Sequence, residues 1–253
     1  LEQVHHMFGC LKHSPRRRSH VDPDYPAIQE DRLTKCDWTD FYKHATDPMP
    51  PIKMPEPRGR AMTVHCFVDS DHAGDKVTRR LQTGVLIFCN RAPVIACSER
   101  QNGVECSTCG SELCAMRQAI ELVKSLRCKL RMFGIPVDGP ADVFCDNEWV
   151  FKNVSNPTSV LSKKQHSISC HSCREAVAAG IVRIAKEGTL TNLSDVFTKA
   201  EGKTKREGLL GKFMCQARRN NVSDESGERC GSMSEVDSRS VQGDRIDSSA
   251  VGP

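Results

Sequence analysis

The chain has 253 residues, 38% of them hydrophobic and 27% charged, enough for one ordinary core and a second small one. Its 36 Lys and Arg against 32 Asp and Glu leave a formal charge of +4, which allows a basic face without demanding a polyanionic partner. No run approaches the roughly 20 apolar residues of a bilayer span, and the opening LEQVHHMFGC lacks a signal-peptide layout, so a soluble, intracellular (cytoplasmic or nuclear) protein with no membrane partner is expected.

Residues 1 to about 60 open with an amphipathic helix, in which Leu1, Val4, Phe8 and Leu11 recur at helical spacing. They continue through the Pro-rich stretches DPDYP and DPMPPIKMPEPRG, which suit a linker rather than regular structure. With a start at Leu1 rather than Met, a fragment or a processed piece is expected. From about residue 61 the pattern becomes that of a compact α/β domain. MTVHCFVD predicts a strand ending on Asp69, and TGVLIFCN and APVIACS predict two more, joined at Asn90-Arg91 in an antiparallel meander. A long helix follows. Ser107 and Thr108 are its candidate caps, Glu112 is placed in its first turn, and Leu113, Met116, Ile120, Val123, Leu126, Leu130 and Phe133 form its apolar face before Gly134 and Pro136 stop it.

ADVFCDN predicts a strand ending on Asp146, with a short helix from Glu148. SISCHSCREAVAAG is helical with a glycine stop, IVRIAKE is a last strand, and Thr191 to Lys199 holds a short helix started by Asn192 or Ser194. The order βββαβαβα, a meander and then alternation, predicts a mixed sheet with helices packed on it. After about residue 215 the chain is rich in Ser, Asp, Glu and Gly, and a largely disordered tail is expected.

Cysteine is overrepresented, at 14 residues, while Trp and Tyr number 2 each. Without an export signal, reduced thiols are the default. The alternative is zinc at two C-x-x-C pairs, Cys106 with Cys109 and Cys170 with Cys173. The pairs are about 60 residues apart and lack the flanking turn residues of a zinc knuckle.

Four carboxylates fall at element ends: Asp69, Glu112, Asp146 and Asp195. A strand-end carboxylate lies at the rim of the sheet, and one in a first helical turn gains from the helix dipole. If the helices pack over the first and fourth strands, the four converge, and their mutual repulsion then calls for cations. Hard oxygen ligands favour Mg²⁺ or Mn²⁺, and two such ions about 4 Å apart suit in-line attack of water on a phosphodiester. Caps and solvated rims are the alternative account of the same spacing.

The segments FVDSDHAGD, VTRRLQTG, SERQNGVECSTCGSE, VFCDNE, SKKQHSISCHSCRE and LSDVFTK, in this order, resemble the ribonuclease H region of copia-type retrotransposon polyproteins. MFGCLKHSPRRR and VDPDYP resemble the end of the reverse transcriptase and its connection to that region. The resemblance implies an α/β ribonuclease H-like fold over residues 61–200, a five-stranded mixed sheet with three antiparallel strands and then parallel ones. A connection remnant would occupy residues 1–60 and an extension residues 201–253. It also implies that Asp69, Glu112, Asp146 and Asp195 bind two Mg²⁺ or Mn²⁺ ions, with Asp71 in a supporting role. The implied activity is hydrolysis of the RNA strand of an RNA–DNA hybrid, in partnership with the reverse transcriptase portion of the same polyprotein. A hybrid is read through its backbone and 2′-hydroxyls, and Arg79, Arg80, Arg100, Lys163 and Lys164 are candidates for phosphate contacts.

Several positions depart from the family pattern. An aromatic pair followed by Ser-Lys is usual where this chain has Ala96, Cys97, Ser98 and Glu99. Leu81 and Cys106 replace Ser, and Cys114 and Cys170 stand where Tyr or another large residue is common. Each lost large side chain costs about 2 to 5 kcal/mol if its cavity stays open, against a typical reserve of about 5 to 15 kcal/mol. No His lies between Lys186 and Asn192, where some ribonucleases H carry a proton shuttle, and His166 and His171 on the preceding helix read as structural. Two further readings follow: a degenerate, inactive nucleic-acid-binding domain, and a zinc-stabilised interaction module.

Overall fold

A computed structural model describes residues 17–33, 35–48, 53–71, 81–101, 107–161 and 166–216. The expected helix at Leu1 to Leu11, Arg79, Arg80, Lys163, Lys164 and the Ser-rich tail lie outside the described residues. None of the described helices is long and apolar enough to cross a membrane.

A short strand β1 (Arg17–Ser19) and a 3-10 turn at Glu30–Arg32 precede the main sheet, whose first three strands are β2 (Val64–Asp71), β3 (Gln82–Cys89) and β4 (Ala92–Arg100). Asn90, at the β3–β4 turn, has φ 54°, a left-handed conformation that Asn tolerates better than most residues. The long helix α1 (Thr108–Met132) leads to β5 (Ala141–Cys145). Two helices, α2 (Glu148–Ser155) and α3 (Ser167–Ala178), come before β6 (Val182–Lys186). The chain closes with α4 (Asp195–Thr198), α5 (Lys203–Leu210) and β7 (Met214–Gln216).

The sheet order is β4-β3-β2-β5-β6, antiparallel across β4-β3-β2 and parallel across β2-β5-β6. This is the five-stranded mixed sheet of a ribonuclease H-like fold. Both helices expected between β5 and β6 form, one more than the order βββαβαβα counts, and a difference from expectation lies in the long helix. It concerns the end of α1: Ser107 caps the helix, its hydroxyl accepting from Gly110 N at 3.3 Å, but Phe133 is the residue after the helix and is 77% exposed. The left-handed Gly134, φ 71°, turns the chain there, so the apolar stripe stops at Leu130.

Alternation along the central strands fills two layers. Val64, Cys66 and Val68 of β2, Val85 and Ile87 of β3, and Val143 of β5 share one core with Leu113, Met116, Ile120 and Val123 of α1. The intervening Phe67, Leu86, Phe88 and Phe144 face the other side. There they meet Leu193, Leu209 and Phe213 from the end of the chain and Leu33 from its beginning. Strands buried on both sides read as nearly continuous apolar runs, as β2, β3 and β5 do.

Residues 17–48 therefore pack on the domain. Leu33 bridges Ala185 on the edge strand β6, Trp38 is buried, and Asp47 pairs with Arg127 at 3.1 Å and with Arg131. β1 pairs antiparallel with β7, which joins the two ends of the described chain. The eleven described cysteines are all free thiols. Cys170 and Cys173 point into the main core, where burial pushes both thiols up and disfavours the thiolate that zinc requires; Cys106 lies outside the described residues.

Candidate metal centre

Register brings the first pair of carboxylates together. Val68 of β2 is aligned with Cys145 of the parallel strand β5, so the next residues, Asp69 and Asp146, emerge side by side at one rim of the sheet. β2 itself runs on to Asp71, which pairs with Gln82, two residues past the expected end. The start of α1 crosses this rim. Ser70 Oγ meets Ser111 Oγ at 3.1 Å, and Gln101 Nε2 donates to Thr83 Oγ1 at 2.9 Å and to Ser111 O at 3.0 Å. Glu112 lies five residues past the Ser107 cap, beyond the first turn where the sequence reading placed it. It is held by packing of α1 on β2 more than by the helix dipole, which fades after the first turn.

One carboxylate oxygen from each of Asp69, Glu112 and Asp146 lies within 4.8 Å of the others. Asp71 is outside that group. Asp195 is also outside it, yet it is completely buried and tied to it. Lys199 Nζ stands 3.0 Å from Asp69 Oδ1 and 3.0 Å from Asp195 Oδ1, and Lys205 Nζ donates to Asp195 Oδ2 at 2.6 Å and to Glu201 Oε1 at 2.8 Å. The Thr198 hydroxyl donates to Asp69 Oδ2.

The loop before α4 is fastened to the same rim. Buried Asn192 donates from Nδ2 to Val68 O at 3.0 Å, one residue before Asp69, and accepts from Ser194 Oγ at 2.6 Å. Opposite Asp69 in the ladder is Gly84. A Cβ there would come within 2.7 Å of Thr198 Cγ2 and 2.9 Å of Ser194 O, so only glycine lets α4 approach β3 this closely. Gly84, Asn192, Thr198, Lys199 and Lys205 escape a search for carboxylates alone. Thr198 and Lys199 had a sequence signal, three and four residues after Asp195 in LSDVFTK.

Burial dominates the electrostatics. It raises Glu112 to about 9, helped by the charges of Asp69 and Asp146. It raises Asp69 to about 6 although Thr198 and Lys199 pull the other way, and it also raises Asp146. Burial works against the Lys199 ammonium, but Asp69 and Asp195 outweigh it and hold it above the ordinary lysine value. Three crowded carboxylates that resist ionising together form a set that a divalent cation would relieve, and their hard oxygens fit Mg²⁺ or Mn²⁺.

Around the centre, Arg100 ends the edge strand β4 and is exposed. Glu99 accepts from Gln118 Nε2 of α1 at 2.7 Å, and Leu81 is fully buried. Cys170 fills a buried site, its thiol donating to Asn153 O at 3.6 Å. His166 is buried against Trp149, and His171 Nδ1 meets Tyr42 OH at 2.6 Å; both are engaged in packing.

Two curated relatives are similar in sequence, both from Arabidopsis thaliana. The retrovirus-related Pol polyprotein from transposon RE1 is 25% identical over 156 residues, 62% of this chain and 11% of the relative; that from transposon RE2 is 25% identical over 142 residues, 56% and 10%. The chain thus spans about a tenth of their length. Among solved structures it is similar to the RNase H1 of the archaeon Halobacterium salinarum NRC-1, at 14% identity and TM-score 0.41, covering 52% of this chain and 90% of that one. No family model matches the chain. The fold assignment rests on the order and directions of the five strands. By sequence, the chain is a relative of the retrovirus-related Pol polyproteins of transposons, and its domain is consistent with the ribonuclease H region of such a polyprotein.

Proposed function

We propose that the chain is a metal-dependent endonuclease that hydrolyses the RNA strand of RNA–DNA hybrids, within a copia-type retrotransposon polyprotein. The observation that carries this reading is the meeting of Asp69, Glu112 and Asp146 within 4.8 Å at one rim of the sheet. Asp69, Glu112 and Asp146 would hold divalent ions, with Asp195 beside them. Bound there, Mg²⁺ or Mn²⁺ would supply a water activated at neutral pH and charge stabilisation at the scissile phosphate.

The chain's own residues position and polarise. Adjacent strands fix Asp69 and Asp146, the packing of α1 fixes Glu112, and the Thr198 hydroxyl orients the Asp69 carboxylate. Arg79, Arg80, Arg100, Lys163 and Lys164 would contact phosphates, which positions the hybrid without reading its sequence. The reverse transcriptase portion of the same polyprotein would supply the hybrid.

Incubating the folded protein with an end-labelled hybrid and Mg²⁺ tests this. Cleavage of the RNA strand only, lost on adding chelator and reduced at least about a hundredfold by Asp146→Asn, is expected. Cleavage indifferent to Asp146→Asn would overturn it. A second reading, a hybrid-binding domain without catalysis, is favoured by Glu99 in place of the usual lysine. Salt-dependent binding without turnover by a folded sample would establish it.

A further inference from the structure

Lys199 follows Asp195 by four residues, a spacing that usually gives an ion pair on a helix surface. Here the ammonium turns inward, 3.0 Å from Asp195 Oδ1 and 3.0 Å from Asp69 Oδ1, and both of those side chains are fully buried. The second oxygens are also engaged: Asp69 Oδ2 accepts from Thr198, and Asp195 Oδ2 from Lys205 at 2.6 Å. Among the described residues no lysine or arginine forms an ion pair with Glu112 or Asp146. Glu112 and Asp146 therefore have no ammonium within ion-pair distance, whereas Asp69 and Asp195 share one, whose charge also reaches Glu112 and Asp146.

The Lys199 side chain is 33% exposed, so its ammonium can reach solvent without opening the core.

We infer that Lys199 is a resident counter-cation between Asp69 and Asp195, so that without nucleic acid this chain binds one divalent ion, at Asp69, Glu112 and Asp146, and a second enters beside Asp195 only when Lys199 leaves. The inference rests on the proposed metal-dependent function and deepens it. Lys199 is a positioning residue in this account, acting through the two carboxylates it joins.

The experiment counts Mn²⁺ bound to the full chain by calorimetry and by electron paramagnetic resonance, without nucleic acid, for the wild type and Lys199→Met. One ion is expected in the wild type and two in Lys199→Met, the added ion binding about tenfold or more tighter than any second ion in the wild type. Two ions in the wild type, or one ion with unchanged affinity in a folded Lys199→Met, removes the lysine assignment and leaves the metal-dependent reading standing. No bound Mn²⁺ in the folded wild type removes both. Should Lys199→Met not fold, acylation of the wild-type Lys199 amine, followed by mass spectrometry, decides. The amine is expected to react as slowly with one Mn²⁺ bound as without it, and exposure by the first ion overturns the inference.

Discussion

On the face of the sheet covered by α1, the side chains are small or aliphatic: Val64, Cys66 and Val68 of β2 share a core with Met116, Ile120 and Val123. On the opposite face they are aromatic, with Phe67 stacked on Phe144 at 5.0 Å and edge-on to Phe88 at 6.0 Å. The first face is covered by helices that lie between the strands in sequence. The second is covered by pieces from both ends of the described chain, Leu33 before the sheet and Leu193, Leu209 and Phe213 after it. Contacts that close early in sequence need only periodicity to specify them, whereas contacts between distant ends depend on a few anchors.

The most severe way to break this contrast is to cut the chain to residues 61–200, the limits suggested by family resemblance. That removes Leu33, Trp38, Leu209 and Phe213 together with the β1–β7 pair and uncovers Phe67, Phe88 and Phe144. We expect the fragment to lose its cooperative urea transition while a chain of residues 17–216 keeps it. On the helix-covered face, Ile120→Ala should cost about 3 kcal/mol, because Ile120 is 1% exposed amid rigid neighbours that cannot close the cavity. Urea midpoints at constant slope would measure it.

These two faces were unequally legible. Apolar residues at threes and fours, a serine cap and a glycine stop reveal α1, but both its ends mislead: Phe133 continues the spacing past Met132, where the helix ends, and the Ser107 cap leaves Glu112 beyond the first turn. Asp69 and Asp146 are legible as carboxylates near the ends of strands, although β2 runs on to Asp71 and β5 stops at Cys145. The described residues before 60 carry no period, and their prolines read as a linker. What fixes them is a set of single contacts, Leu33 on Ala185 and Asp47 on Arg127, which no local pattern announces. Lys199 was hidden differently, since Asp and Lys four apart look like any exposed helical pair.

The aromatic face carries one ionisable ring that the other lacks. His65 is stacked on Phe88 at 4.6 Å, its Nδ1 has no hydrogen-bond partner among the described residues, and burial lowers its pKa from 6.5 to about 3. Its folded value is depressed, so its contribution is intact above pH 6.5 and fades as pH falls toward 3, while the unfolded chain takes up the proton first. We expect His65→Phe to leave stability at pH 7.5 within about 1 kcal/mol and to remove a loss of about 1 kcal/mol per pH unit below pH 6. Equal pH slopes for the two proteins would show that other groups set the acid limit. Leu33→Ala should cost less than Ile120→Ala, about 1 to 2 kcal/mol, because a peripheral segment can settle into the space or detach. A cost as large as that of Ile120→Ala would mean that both faces are equally rigid.

The smallest effect tests whether charge or burial holds the segment before the sheet. Arg183 on β6 donates from Nε to Asp142 at 2.8 Å and from Nη1 to Glu30 at 2.8 Å. The two carboxylates differ in setting: the Asp142 side chain is 5% exposed and that of Glu30 is 59%. Removing the charge of Glu30 leaves Arg183 with its buried partner and with water, so Glu30→Gln should cost no more than about 0.5 kcal/mol, less still in 0.5 M salt. Asp142→Asn, by contrast, leaves an arginine beside a buried amide and should cost more. If Glu30→Gln instead matched Leu33→Ala, the segment would be held by its ion pairs, and the aromatic face would owe its cover to charge rather than to the apolar contact of Leu33 with Phe144 and Ala185.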